Sequence, residues 1–144
     1  MGLRVKRPPD RLCARMTWVE VFIAAVLSHL VGDYLLQTDW QARNKRGGLA
    51  RVAGDARRAL LTHIGTYTLA FVPLLIVAEL GWEVLWVLPA ISLPHLIQDD
   101  GRLLQSYMKR VKRLDPKENL AVSIAVDQTF HMLALLALAL LIGS

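Results

Sequence analysis

Charge is nearly absent from long runs of this chain and crowded into the segments between them. That segregation restricts the fold more than any other feature. Four stretches carry almost no charge: Trp18–Gln37, Ala59–Leu80, Trp82–Ile97 and Leu120–Ile142. A bilayer core of about 30 Å is crossed by roughly 20 helical residues rising 1.5 Å each. The first, second and fourth stretches are that long. The third is shorter, and Pro89 and Pro94 predict kinks of the kind membrane helices tolerate. A soluble helical bundle would need a polar stripe on every helix. The run Leu133-Ala-Leu-Leu-Ala-Leu-Ala-Leu-Leu-Ile142 offers none. The sequence therefore predicts an all-α chain: a four-helix up-down-up-down transmembrane bundle with helices at about 18–37, 59–80, 82–97 and 120–142, forming a single membrane domain over 17–144.

Composition agrees. A chain of 144 residues has room for one domain, and 54% hydrophobic residues is too many for an ordinary soluble domain of that size. The one cysteine, Cys13, excludes an intrachain disulfide framework and any multi-cysteine zinc site. The net charge of +5 alone fits nucleic acid or anionic lipid. Because the charges lie in loops between apolar helices, the expected partners are membrane lipids, and no nucleic acid is expected. The cluster Lys109, Arg110, Lys112 and Arg113 suits anionic head groups. Nothing in the sequence sets an oligomeric state.

Residues 1–16 form a basic extension, with Arg4, Lys6, Arg7, Arg11 and Arg15, expected to be disordered. The extension and the apolar run after it superficially resemble a signal peptide. That run is too long for a signal core, contains His29 and Asp33, and ends without a small-residue cleavage site. It is therefore read as a retained helix. Met16 is as plausible a translation start as Met1.

Topology follows from the loops. One loop, 38–58, carries Arg43, Lys45, Arg46, Arg51, Arg57 and Arg58, and the other, 98–119, carries Arg102, Lys109, Arg110, Lys112, Arg113 and Lys117. The short turn between the second and third helices has no Lys or Arg, and neither does the C-terminus. The positive-inside rule then expects both basic loops in the cytoplasm and both termini outside. The basic residues before Met16 argue the other way, and a start at Met16 removes the conflict.

The histidines carry the functional signal. Each apolar stretch holds one, and none lies in a loop. Three have a carboxylate four residues away: His29 with Asp33, His95 with Asp99, and His131 with Asp127; His63 has Tyr67 at that spacing. Residues at i and i+4 share a helix face. With alternating helix directions, all four pairs fall on the side of the basic loops, and Gln37 and Gln128 extend the polar face. A single intramembrane histidine is commonly a bundle hydrogen-bonder. Ionisable groups in lipid are costly unless paired, so the joint pattern needs a shared explanation.

A divalent metal, zinc, manganese or iron, supplies one. His29, His63, His95, Asp127 and His131 are the expected ligands, with Asp33 and Asp99 as the acids available for general-base work and Gln37, Tyr67 and Gln128 in support. These groups outnumber the ligands of one zinc, so either two metals bind or some acids orient imidazoles. A metal-activated water points to hydrolysis.

The blocks His29-Leu-Val-Gly-Asp33-Tyr-Leu-Leu-Gln37, His63-Ile-Gly-Thr-Tyr67, His95-Leu-Ile-Gln-Asp99 and Asp127-Gln128-Thr-Phe-His131 resemble the DUF3307 family of small bacterial membrane proteins. The resemblance covers most of the chain from about Met16. It implies a multi-pass protein of the bacterial inner membrane, and it implies no reaction, since the family's function is unknown. The His/Asp style is also similar to that of membrane-bound metal-dependent hydrolases, by analogy. The segment Gln98-Asp99-Asp100-Gly101-Arg102 departs from the family pattern and leaves Asp99 and Asp100 as alternatives, with i+4 spacing favouring Asp99. Two function classes stay open. One is a metal-dependent membrane hydrolase whose substrate is a lipid or arrives from the cytoplasmic leaflet. The other is a non-enzymatic membrane protein that uses the cluster as a proton or ion pathway or as a structural polar core.

Overall fold

The computed structural model describes residues 16–144. Among them the chain is helical, without a strand. Helix α1 (Trp18–Leu30) runs on into a π-helical turn, Val31–Leu35, and a short α2 (Asp39–Asn44) follows. Next come α3 (Asp55–Leu69), α4 (Val72–Val77), α5 (Val84–Asp99), α6 (Arg102–Tyr107) with a π turn at Met108–Lys112, and α7 (Leu120–Ile142).

Local chemistry explains the boundaries. Two capping boxes start helices: Thr17 with Glu20 at α1, and Thr38 with Gln41 at α2. Gln41 Nε2 also donates to Thr62 Oγ1 at 3.3 Å, fastening α2 to α3. The second expected helix is divided. Pro73 has no N–H for the Leu69 carbonyl, so the ladder breaks between α3 and α4. Pro89 and Pro94 lie inside α5, which remains one helix. The segments expected as loops hold α2 and α6, which the sequence reading did not anticipate.

Three spans, Trp18–Leu35, Asp55–Val77 and Leu120–Ile142, have the length and apolar composition to cross a membrane. At 16 residues α5 is shorter, about 24 Å at 1.5 Å per residue. Only 22%, 28% and 22% of the three spans is buried inside the molecule, so most of their apolar surface faces outward. Ile23, Leu27, Ile76, Leu85, Leu133 and Leu141 are among the exposed side chains. An outward apolar surface of this extent is compatible with hydrocarbon surroundings.

Helix α7 packs against both α1 and α5, α5 packs against α3, and the π turn after α1 returns onto α3. These contacts enclose a common interior. One part of it is apolar, built from Ala25, Tyr67, Phe71, Leu74, Val87, Ile91, Leu135 and Leu138. The polar part adjoins it at Tyr67. The expected basic extension lies outside the described residues except for Met16, whose carbonyl accepts from Ser144 N at 3.2 Å.

Candidate metal centre

All four histidines are buried, at 0% exposure for His29 and His63 and 2% for His95 and His131. Asp33, on the π turn, reaches toward α3 and α5: its Oδ1 lies 3.2 Å from both His63 Nε2 and His95 Nε2. A π turn inserts backbone into the helical register and is frequent at functional positions. From the end of α5, Asp99 Oδ2 lies 2.8 Å from His63 Nε2 and 3.3 Å from His95 Nε2. The two Nε2 atoms are themselves 3.1 Å apart. One ligand atom from each of Asp33, His63, His95 and Asp99 lies within 4.8 Å of every other.

Four electron-rich atoms at this spacing repel one another unless a cation or shared protons lie among them. Two imidazoles and two carboxylates form a donor set suited to zinc, manganese or iron. The Nδ1 atoms of His63 and His95 have no hydrogen-bond partner among the described residues, nor does Asp33 Oδ1.

The other expected residues lie around these four. His29 Nε2 is 3.2 Å from Gln128 Oε1, and its Nδ1 is 3.3 Å from the Tyr67 hydroxyl. An amide oxygen only accepts, so Nε2 carries the proton and Nδ1 accepts from Tyr67 O–H. Both His29 nitrogens are thus engaged, with Asp33 Oδ2 a further 3.6 Å from Nδ1. Tyr67 also stacks on His95, with ring centroids 3.4 Å apart and planes within 4°. His131 Nδ1 donates to the Asp127 carbonyl at 2.9 Å. Its Nε2 is left 3.7 Å from Asp99 Oδ1, without a hydrogen-bond partner among the described residues.

Of the five expected ligands, His29, His131 and Asp127 are not in the four-ligand group, and Asp127 meets it least directly. Its backbone serves His131, while its side chain lines a separate cavity with Arg46, Gly101, Gln105 and Ser123. Gln37 follows the end of the π turn, and its buried Nε2 has no partner among the described residues.

Three residues outside the expected site set help build it; of these the sequence offered Asp100 only as an alternative to Asp99. Lys45 Nζ is 2.6 Å from Asp99 Oδ2, with side chains 13% and 4% exposed. Asp100 is 1% exposed; its Oδ1 accepts from Leu49 N at 2.8 Å, its carbonyl accepts from Gly47 N at 2.9 Å, and its carboxylate pairs with Arg102. The adjacent acids therefore separate: Asp99 faces the histidines and Asp100 ties the basic loop to α5. Gly47 and Gly101 adopt left-handed φ of 74° and 77° at that junction. The third is Gly32, which lies against Tyr67. Glycine before Asp33 and the adjacent Asp99–Asp100 pair were the available signals in the sequence; nothing in it distinguished Lys45 from its basic neighbours.

The DUF3307 family model, described as a protein of unknown function, matches residues 21–144, and the chain belongs to that family. No curated protein and no solved structure matches the chain.

Proposed function

We propose that this is an integral membrane protein whose apolar helices run up-down-up-down, and that Asp33, His63, His95 and Asp99 hold a divalent metal used in hydrolysis. One observation carries the reading: two imidazole Nε2 atoms 3.1 Å apart, each facing carboxylate oxygens at 2.8 to 3.3 Å in a buried interior. A divalent ion held by these four residues would supply Lewis acidity and would lower the pKa of a bound water toward about 7. The basic loops lie beside the cluster through Lys45, which supports a substrate arriving from the membrane face those loops occupy. By the positive-inside rule that face is cytoplasmic.

The distances favour a division of labour different from the one the spacing suggested. Asp33 and Asp99 are better placed as ligands than as spare acids. His29 has both nitrogens engaged and orients the site together with Tyr67 and Gln128. His131 gives its Nδ1–H to the Asp127 carbonyl, which leaves the Nε2 lone pair available. That nitrogen, 3.7 Å from Asp99 Oδ1, supports His131 as the proton acceptor in this reading.

A proton or ion pathway is the second reading. The Tyr67–His29–Gln128 hydrogen-bonded chain beside the cluster favours it. Metal analysis separates the two. Protein purified in detergent without chelator, with and without reconstitution by zinc, manganese or iron, should hold about one equivalent if the four ligands act together. A wild type that takes up none of the three would leave the relay as the better reading.

A further inference from the structure

We propose that the metal-loaded centre is an anion site, and that its substrate presents a phosphate group to the metal and to Lys45. This rests on the metal reading above and names the substrate chemistry of the same site. Lys45 is not a free loop lysine. Gly47 N on the Asp100 carbonyl and Leu49 N on Asp100 Oδ1 fasten its loop to the end of α5. The fastening delivers Nζ to 2.6 Å from Asp99 Oδ2, the oxygen that also meets His63 and His95.

Charge counting gives the consequence. With neutral imidazoles, Asp33 and Asp99 carry two negative charges and Lys45 one positive, so the group is net negative. A divalent cation makes it net positive by one. The neighbouring charges do not cancel that excess: Asp100 is matched by Arg102, and Asp127 shares its cavity wall with Arg46. A positive excess in a buried site draws an anion, and a lysine ammonium is a point-charge phosphate binder. The cavity lined by Arg46, Gly101, Gln105, Ser123 and Asp127, of ≈ 40 Å³, lies at the same loop–helix junction. It exceeds the minimum of about 10–15 Å³ for one water and holds a second cation, Arg46.

Phosphate on a lipid head group and phosphate on a soluble compound share this chemistry. The test uses full-length protein in detergent, loaded with manganese, whose paramagnetism broadens the ³¹P resonance of a nearby phosphate. Inorganic phosphate and dihexanoyl phosphatidic acid are titrated separately into wild type, Lys45→Met and Lys45→Arg. Wild type is expected to bind at least one probe in a manganese-dependent way. Lys45→Met should weaken that binding about 10-fold or more while keeping its manganese, because it removes a cation beside a cation. Lys45→Arg should restore phosphate binding. Tighter binding of the phosphatidic acid assigns the source to lipid, and tighter binding of inorganic phosphate assigns it to a soluble compound; either supports the proposal.

Manganese uptake without binding of either probe overturns the anion site and leaves the metal reading intact. So does a Lys45→Met protein that binds phosphate like wild type. Failure of the wild type to take up manganese, zinc or iron overturns both. If Lys45→Met does not fold, the comparison of manganese-loaded with metal-free wild type decides, since the proposal requires phosphate binding only in the loaded form.

Discussion

Gly32 lies flat against Tyr67: a Cβ at position 32 would come to 2.7 Å from Tyr67 Cδ2 and 3.2 Å from the Tyr67 Cα. The first neighbour is part of a ring stacked on His95, and the second is backbone, so neither yields cheaply. The contact sets how closely the π turn carrying Asp33 approaches α3. Gly32→Ala should therefore destabilise the fold by about 1–3 kcal/mol, the usual range for overpacking. It should also move Asp33 away from His63 and His95. Thermal melts in detergent and metal titration of the same preparation check both effects. A variant with wild-type stability and metal affinity would mean that the turn is free to shift.

Removing a ligand and removing an orienting group should give different metal affinities. His63→Ala and Asp99→Asn take donors from the four-atom group and should reduce affinity by more than about 100-fold, beyond the 10–100-fold range usual for groups that only orient ligands. His29→Ala should stay within that range. Asp127→Asn should have the smallest effect, because its backbone carbonyl, not its side chain, meets His131. Equal losses at positions 63, 29 and 127 would show a larger centre in which all the expected residues bind.

Helix spacing made part of this site legible. His95 and Asp99, four residues apart on α5, do meet, at 3.3 Å. His29 and Asp33 lie 3.6 Å apart although a π turn interrupts the helix between them. The Asp127–His131 pair shows the limit. Spacing puts two Cβ atoms on one face but leaves the rotamers free, and here His131 turns to the backbone of residue 127. The role of Lys45 and the loop-tying role of Asp100, which the sequence offered only as an alternative to Asp99, were illegible for another reason. The bonds of these two residues join segments separated by 54 and 51 residues, across a junction set by two left-handed glycines. The long apolar runs revealed the helical class readily. The break at Pro73 and the helices α2 and α6 depend on local capping and packing that hydropathy does not report.

Tyr67 joins two parts of the centre, and Tyr67→Phe separates its roles. Phenylalanine keeps the stack on His95 and loses the hydroxyl that donates to His29 Nδ1. The buried imidazole nitrogen is then unsatisfied, at a cost of about 1–3 kcal/mol. Metal affinity should fall less than in His63→Ala, because the hydroxyl touches no member of the four-ligand group except through His29. In a proton relay the same substitution would instead interrupt conduction. Proton flux in liposomes containing wild type and Tyr67→Phe, alongside metal content, discriminates: loss of flux with unchanged metal content favours the relay, and absence of flux in both proteins argues against it.

Orientation is the last expectation open to a direct test, and the site gives it functional weight. The loop that holds Lys45 meets the cluster at Asp99, so under the hydrolase proposal the face on which that loop lies would be the face from which substrate arrives. Each of the two loops carries six Lys and Arg residues, and the turn between α4 and α5 carries none. Translocation of so much positive charge is disfavoured, which predicts cytoplasmic basic loops and an outside C-terminus. A cysteine placed at Val52, 93% exposed in the first loop, should be labelled by a membrane-impermeant maleimide only after the membrane is opened. One placed at Ser144 should be labelled in intact cells, and Cys13→Ser removes the background in both. The opposite pattern would show that the basic residues before Met16 override the loops, and would place the cluster's approach on the outer face.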